Sequence, residues 1–335
     1  MNKKVLKTLE YDKIIDMLVE EADSALGKDS ARRLRPSSDH GEIVAMQAET
    51  SHALTRLFHH GALSFHGLTD IRPSLVPLAK GGTLGAGELL RIGALLEAAK
   101  RAVEFDKKDE ETDFLSGRFD GLQTFPEIRR EISRCILSED EISDDASSEL
   151  KRIRRAMKTT NDKIREQLSV TVNSSGDMLR DNIVTMRNGR YCLPVKQEYK
   201  SAFQGMIHDQ SSTGSTFFIE PMAIVKLNND LAELAMKEQE EIELILASIS
   251  SICAPETEGL ERDVILLSEL DFIFAKAKLS KKMQGSEPIF DDNYIEIKKG
   301  RHPLIPRDRV VPIDVTLGKD YRLLIITGPN TGGKT

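Results

Sequence analysis

The apolar positions along this chain change their spacing more than once, and each change marks a different kind of element. Through residues 1–137 they keep helical intervals. Leu9, Ile14, Leu18 and Ala22 mark one amphipathic stretch, and Gly27 and Pro36 bracket the next helix. A second stretch runs over about 41–60. Gly81-Gly82 and Gly85-Ala86-Gly87 then break the chain before a helix expected over 88–103. Residues 107–111 read as a charged loop. Thr124-x-x-Glu127, with Pro126 between, is a helix-start signature ahead of 128–137.

From Ala146 the stripe narrows. Ala146, Leu150, Ile153, Met157, Thr160, Ile164 and Leu168 step by three and four, which predicts a coiled-coil seam rather than a broad globular face. The seam resumes at Leu227, Leu231, Leu234, Ile242, Ile245, Ile249 and Ile252. Arms of this length reach roughly 40 Å at 1.5 Å per residue. Lys151, Arg152, Arg154, Arg155, Lys158, Lys163 and Arg165 make the outgoing arm basic, and Glu238, Glu240, Glu241 and Glu243 make the returning arm acidic. Antiparallel packing sets the two clusters side by side. The basic cluster therefore reads as charge pairing between arms or as a phosphate-binding stripe.

Between the arms the period falls to two. Segments 183–187 and 190–195 flank Asn188-Gly189, the dipeptide suited to a type I′ hairpin turn, and 205–209 and 215–219 form a second strand pair. Arg187, Arg190, Lys196 and Lys200, set against Glu198, leave this tip locally positive and make it a candidate nucleic-acid contact, with Tyr191, Tyr199, Phe203, Phe217 and Phe218 as accompanying aromatics. After about residue 285 strands return at 294–297, 310–315 and 323–327, with Gly300-Arg301-His302-Pro303 as a turn among them. The chain then reaches Gly328-Pro329-Asn330-Thr331-Gly332-Gly333-Lys334-Thr335, which fits G-x-x-x-x-G-K-[ST] after an apolar strand. Its glycines let backbone N–H groups approach phosphates, Lys334 supplies a point charge, and the Thr335 hydroxyl suits Mg²⁺. ATP and Mg²⁺ are the implied cofactors. The helix that would complete the loop does not follow in these residues, so the chain reads as the front of a longer ATPase, with weak or absent ATP binding and no catalytic residue assigned.

Composition narrows the class. The chain has 335 residues, 30% of them charged and 39% hydrophobic, and a formal net charge of −7. That balance suggests a helix-rich protein whose nucleic-acid contacts must come from local patches. Cys135, Cys192 and Cys253 lie far apart, without C-x-x-C spacing, which fits a reducing cytoplasm better than a disulfide framework or a zinc site. His52, His59, His60 and His66 have no ligand spacing. No run approaches a membrane span.

The order of parts resembles the MutS family, and the motifs resemble its second bacterial branch, which lacks the N-terminal mismatch-reading domain. The most specific stretches are Asp70-Ile71-Arg72-Pro73-Ser74-Leu75, Arg187-Asn188-Gly189-Arg190-Tyr191, Leu193-Pro194-Val195-Lys196, His208-Asp209-Gln210-Ser211, Phe218-Ile219-Glu220-Pro221, Gly300-Arg301-His302-Pro303 and the phosphate loop. The resemblance implies a mostly α fold with small β parts. Its parts are a helical core (1–145), an outgoing lever arm (146–180), a β clamp-like tip (181–221), a returning arm with core helices (222–285) and the start of a P-loop ATPase domain (286–335). It also implies a cytoplasmic, homodimeric, ATP-driven clamp around nucleic acid, either branched DNA in recombination suppression or ribosomal RNA on stalled, collided ribosomes. Family members carry a C-terminal Smr-type endonuclease domain that this sequence does not contain. A different class fits the same residues: a non-catalytic coiled-coil binding module with a relic phosphate loop.

Overall fold

The computed structural model of this chain describes residues 3–108, 112–291 and 293–327. It is mostly helical, with small antiparallel sheets. The helices are α1 (Lys3–Thr8), α2 (Tyr11–Glu21), α3 (Ala25–Arg33), α4 (His40–His60), α5 (Arg72–Leu78), α6 (Ala86–Asp106), α7 (Ser116–Asp120), α8 (Pro126–Cys135), α9 (Ser148–Ser175), α10 (Met222–Cys253) and α11 (Thr257–Met283). The strands are β1 (Ile136–Ser138), β2 (Glu141–Ile142), β3 (Thr185–Arg187), β4 (Arg190–Lys196), β5 (Gly205–Gln210), β6 (Thr216–Pro221), β7 (Ile295–Gly300) and β8 (Ile313–Leu317). The chain divides into two compact units, one of residues 1–72, 94–124 and 258–335 and the other of 73–93 and 125–257.

In the first unit, α2, α3 and α11 pack Leu18, Ala22, Ala31, Ala275 and Leu279 into one cluster. Leu9 is exposed and does not join it. Glu10 adopts a left-handed conformation (φ 54°) that separates α1 from α2, so the buried face begins at Ile15. The second departure from expectation is Gly27, which lies inside α3 rather than ahead of it. Ser24 is the cap: its Oγ accepts from Gly27 N at 2.9 Å. Position 27 has no room for a side chain, since a Cβ there would sit 2.2 Å from Asp271 Oδ2. Asp271, buried on α11, accepts from Asp23 N at 3.0 Å, Ser24 N at 2.8 Å and Ser24 Oγ at 2.5 Å. Four helix-start and loop donors are thereby satisfied around one short turn.

The same unit holds β7 and β8, an antiparallel pair with a bulge between Ile297 and Gly300. The strand expected at 323–327 does not form. Leu323, Leu324, Ile325 and Ile326 are exposed, and among the described residues no strand lies beside them to complete a ladder. An apolar, β-branched run is only half of a strand, because the backbone hydrogen bonds need a neighbour.

In the second unit, α8 begins at Pro126, whose missing N–H suits a first helical position. Its cap residue is Phe125, in the left-handed region, and not Thr124. The helix ends at Cys135, short of 137, where Ile136–Ser138 turns into the β1–β2 hairpin. Ser147 caps α9 by accepting from Leu150 N at 2.9 Å.

Helices α9 (28 residues) and α10 (32 residues) are about 42 and 48 Å long. They run antiparallel: Ser147 bonds Glu241, Arg154 pairs with Glu238, and Ile164 and Leu168 share a cluster with Ile224, Leu227 and Leu231. The outgoing seam lies as the spacing predicts, with Leu150, Ile153, Ile164 and Leu168 buried. On the returning helix the last step is four rather than three. Cys253 is buried and Ile252 is exposed. Among the described residues, the ion pair between the arms is Arg154 Nε with Glu238 Oε1 at 2.7 Å, and the Lys237 charge also acts on Glu149. Lys151 pairs with Asp145 and Arg152 with Glu149 on their own side, and Arg155, Lys158, Lys163 and Arg165 make no ion pair among the described residues. Packing, not charge, therefore joins the arms, as the small worth of exposed pairs requires.

Candidate nucleic-acid interface

The tip is a four-stranded antiparallel sheet in the order β3-β4-β6-β5. Asn188 (φ 51°) and Gly189 (φ 74°) both occupy the left-handed region, as a type I′ turn demands, and the turn sets Arg187 directly opposite Arg190. Side chains then alternate between faces. Leu193 and Val195 of β4, with Phe217 and Ile219 of β6, face a core completed by Phe203, Leu179 and the arm residues Ile164, Leu168 and Ile224. The tip and the ends of both arms thus share one core.

The other register holds Arg187, Arg190 and Lys196, Lys200 lies in the connection after β4, and the structure separates the two arginines. Glu220 is completely buried. Arg190 Nη1 donates to both its carboxylate oxygens, at 2.8 and 3.1 Å. His208 Nε2 lies 2.5 Å from Oε2, and Asn228 Nδ2 donates to Oε1 at 2.7 Å. Arg190 also donates to Asn229 Oδ1, while Asn228 Oδ1 accepts from Tyr191 N at 3.3 Å. This network draws on β4, β5, β6 and α10 and ties the sheet to the start of the returning helix. A buried carboxylate requires such compensation, so the guanidinium of Arg190 is committed.

Arg187 is held more loosely. Its Nε, buried and without a hydrogen-bond partner, lies 3.1 Å from Asp209 Oδ2, a carboxylate half exposed to solvent. Its Nη1 donates to Met186 O at 3.0 Å, and its guanidinium sits 3.9 Å from the centre of the Phe218 ring. A partly exposed pair without a hydrogen bond contributes about 0–1 kcal/mol. Lys196 Nζ donates to Asp177 O at 2.8 Å, and Lys200 Nζ stands 4.2 Å over the Phe217 ring. The local positive charge expected for the tip is balanced in count: Arg187, Arg190, Lys196 and Lys200 stand against Asp181, Glu198, Asp209 and Glu220 within residues 181–221, a formal net charge of zero. Cys192, in the same sheet, is no reactive thiol. Burial pushes it up to about 11, and the Glu220 charge acts in the same direction.

Glu220, His208 and Asn228 were not among the candidate site residues. One signal was present: a single carboxylate in the apolar strand Thr216–Pro221 must find a cation if that strand is buried. Three of the stretches that carry the family resemblance, around Arg190, His208 and Glu220, converge on this network.

The candidate phosphate loop, Gly328, Pro329, Asn330, Thr331, Gly332, Gly333, Lys334 and Thr335, lies outside the described residues. Among the described residues, no group of three or more His, Cys, Asp and Glu side chains is arranged to hold a metal, and no helix is long and apolar enough to cross a membrane. Arg301, His302 and Pro303 line a cavity of about 370 Å³ together with Met17, Met283 and Leu304.

No protein-family model matches the chain. Curated relatives match it along its whole length. It is 57% identical to a protein of Lachnoclostridium phytofermentans, 53% to one of Agathobacter rectalis and 44% to one of a Geobacillus species, each named Endonuclease MutS2. In each case all of this chain is covered, against 43–44% of the relative, so the chain spans less than half the length of the curated relatives it matches.

Proposed function

Because this chain belongs to the second branch of the MutS family, we propose that it forms the arm-and-tip part of an ATP-driven clamp on nucleic acid. The observation that carries this reading is the antiparallel pair α9 and α10, which holds a small, braced sheet upstream of a phosphate-loop motif. A sheet at the end of helices about 42–48 Å long is suited to reaching an extended partner. ATP capture by Gly328–Thr335, with Lys334 on the phosphates and Thr335 on Mg²⁺, rests on the sequence motif and on family membership. The endonuclease activity in the relatives' names is assigned to no residue of this chain. A homodimer, a cytoplasmic location and a choice between branched DNA and ribosomal RNA all belong to the same proposal.

The tip contributes in two distinct ways under this reading. Arg190, with Glu220, His208 and Asn228, fixes the angle of the sheet on α10. Arg187 and Lys200 meet the phosphate backbone, because their present partners are weak. The test is retention of a four-way DNA junction or a structured ribosomal RNA fragment, followed with and without Mg-ATP. Nucleotide-dependent retention that Lys334→Ala removes supports the clamp. Retention indifferent to both nucleotide and Lys334 supports a passive binding module instead.

A further inference from the structure

The first unit contains a cavity of about 380 Å³ between α4, the end of α11 and the segment that follows it. Its walls are mainly apolar, from Leu34, Pro36, Ile43, Met46, Leu54 and Pro288. Two of its polar wall residues are already matched, since Ser51 Oγ donates to Glu287 Oε2 at 2.6 Å. Arg35, a second cation in the wall, spends its Nη1 on the carbonyls of Arg32 and Leu34, at 2.9 and 2.7 Å, and Lys276 is the less committed of the two. Its ammonium reaches only the Met46 carbonyl, at 3.5 Å, and the Phe272 ring, 5.0 Å from its centroid. The carboxylate of Glu49, whose charge acts on Lys276, is committed to Arg118 at 2.7 Å, while Arg118 also holds Glu269 at 2.9 Å. A cation in an apolar cavity without its own counter-ion is a mismatch that a monoanionic ligand would remove.

We propose that this cavity binds a small amphipathic carboxylate, its chain against the apolar wall and its carboxylate on the Lys276 ammonium. A single weakly held ammonium favours a monoanion over a phosphate, which needs several donors and charges. Burial lowers the amine to about 8, with Arg118 acting in the same direction and Glu49 opposing. An arriving carboxylate raises it again, so binding at about pH 8.5 takes up protons. The segment Gly285–Pro288 forms part of the wall and leads from α11 to β7. An occupant would therefore stiffen the connection between helices and the strands that precede the phosphate loop.

Calorimetric titration with sodium octanoate and with octanamide, in two buffers of different ionisation heat, tests the assignment. The expected result is one saturable octanoate site with buffer-dependent heat. Lys276→Gln should weaken octanoate about tenfold, abolish the proton uptake and leave octanamide unchanged. Leu54→Trp should fill the cavity and remove both ligands, with Thr50→Trp in its place if the first variant does not fold. Absence of saturable octanoate binding, an unaffected Lys276→Gln variant, or full binding in the filled variant would each overturn the proposal.

Discussion

The tip and the helical unit both bury carboxylates, and they treat the charge in opposite ways. In the tip, Glu220 receives an arginine, a histidine and an amide, so its carboxylate is paired with a cationic side chain. In the helical unit, Asp271 receives two backbone N–H groups and a hydroxyl, and Asp263 receives the Gln123 N–H at 2.9 Å, with no cation bonded to either. Burial pushes both of these carboxyls up, Asp263 to about 7. Asp263 Oδ2 has no hydrogen-bond partner. The helical unit uses carboxylates to fasten loops, whereas the tip uses a charged pair to hold a sheet at a defined place on a helix. The second arrangement is the more directional one.

The largest expected effect breaks the tip's side of this comparison. Arg190→Ala leaves Glu220 buried with its cation removed and should cost roughly 3 kcal/mol. Thermal unfolding and proteolysis within residues 181–221 report the loss. Adding Glu220→Gln to that variant should restore part of it, and a double variant no better than the single one would deny the coupling.

Asp263→Asn examines the other side. The folded carboxyl ionises near 7 against an ordinary value near 4, so the folded state binds the proton more tightly between those values. Stability contributed by the protonated form is present at low pH and is lost as pH rises through about 7. The asparagine variant should match the parent at acid pH and exceed it by roughly 2 kcal/mol at about pH 8. Denaturant unfolding at the two pH values decides this, and a pH-independent difference would contradict it.

A smaller effect belongs to the turn. Gly189→Val places a β-branched residue at φ 74° and should cost about 1–2 kcal/mol, seen as faster amide exchange over β3 and β4. Smallest in stability is Arg187→Ala, at under about 1 kcal/mol, because its ion pair with Asp209 is exposed.

The sequence was most legible where the partner of each residue lies nearby. Asn188-Gly189 announces its own turn, and the seam from Leu150 to Leu168 announces its own helix face. It was less legible where a distant residue decides. Gly27 looks like a helix break until Asp271, far along the chain, occupies the place of its side chain. Arg190 looks as available as Arg187, because the spacing cannot reveal that Glu220 is buried across the sheet. The run at 323–327 has a strand's composition, yet pairing depends on neighbours that its own residues do not encode.

In the proposed clamp the two arginines flanking one turn have different work, with Arg190 bracing the tip and Arg187 meeting phosphate. Binding of a DNA junction and of a structured RNA should therefore be titrated over a range of salt for the parent, Arg187→Ala and Arg155→Ala/Lys158→Ala. Arg187→Ala should bind more weakly, and its dependence of log affinity on log salt should fall by about 0.7–0.9, one phosphate contact, with the fold unchanged. Unchanged affinity and slope in Arg187→Ala, with the loss confined to the Arg155→Ala/Lys158→Ala arm variant, would contradict it.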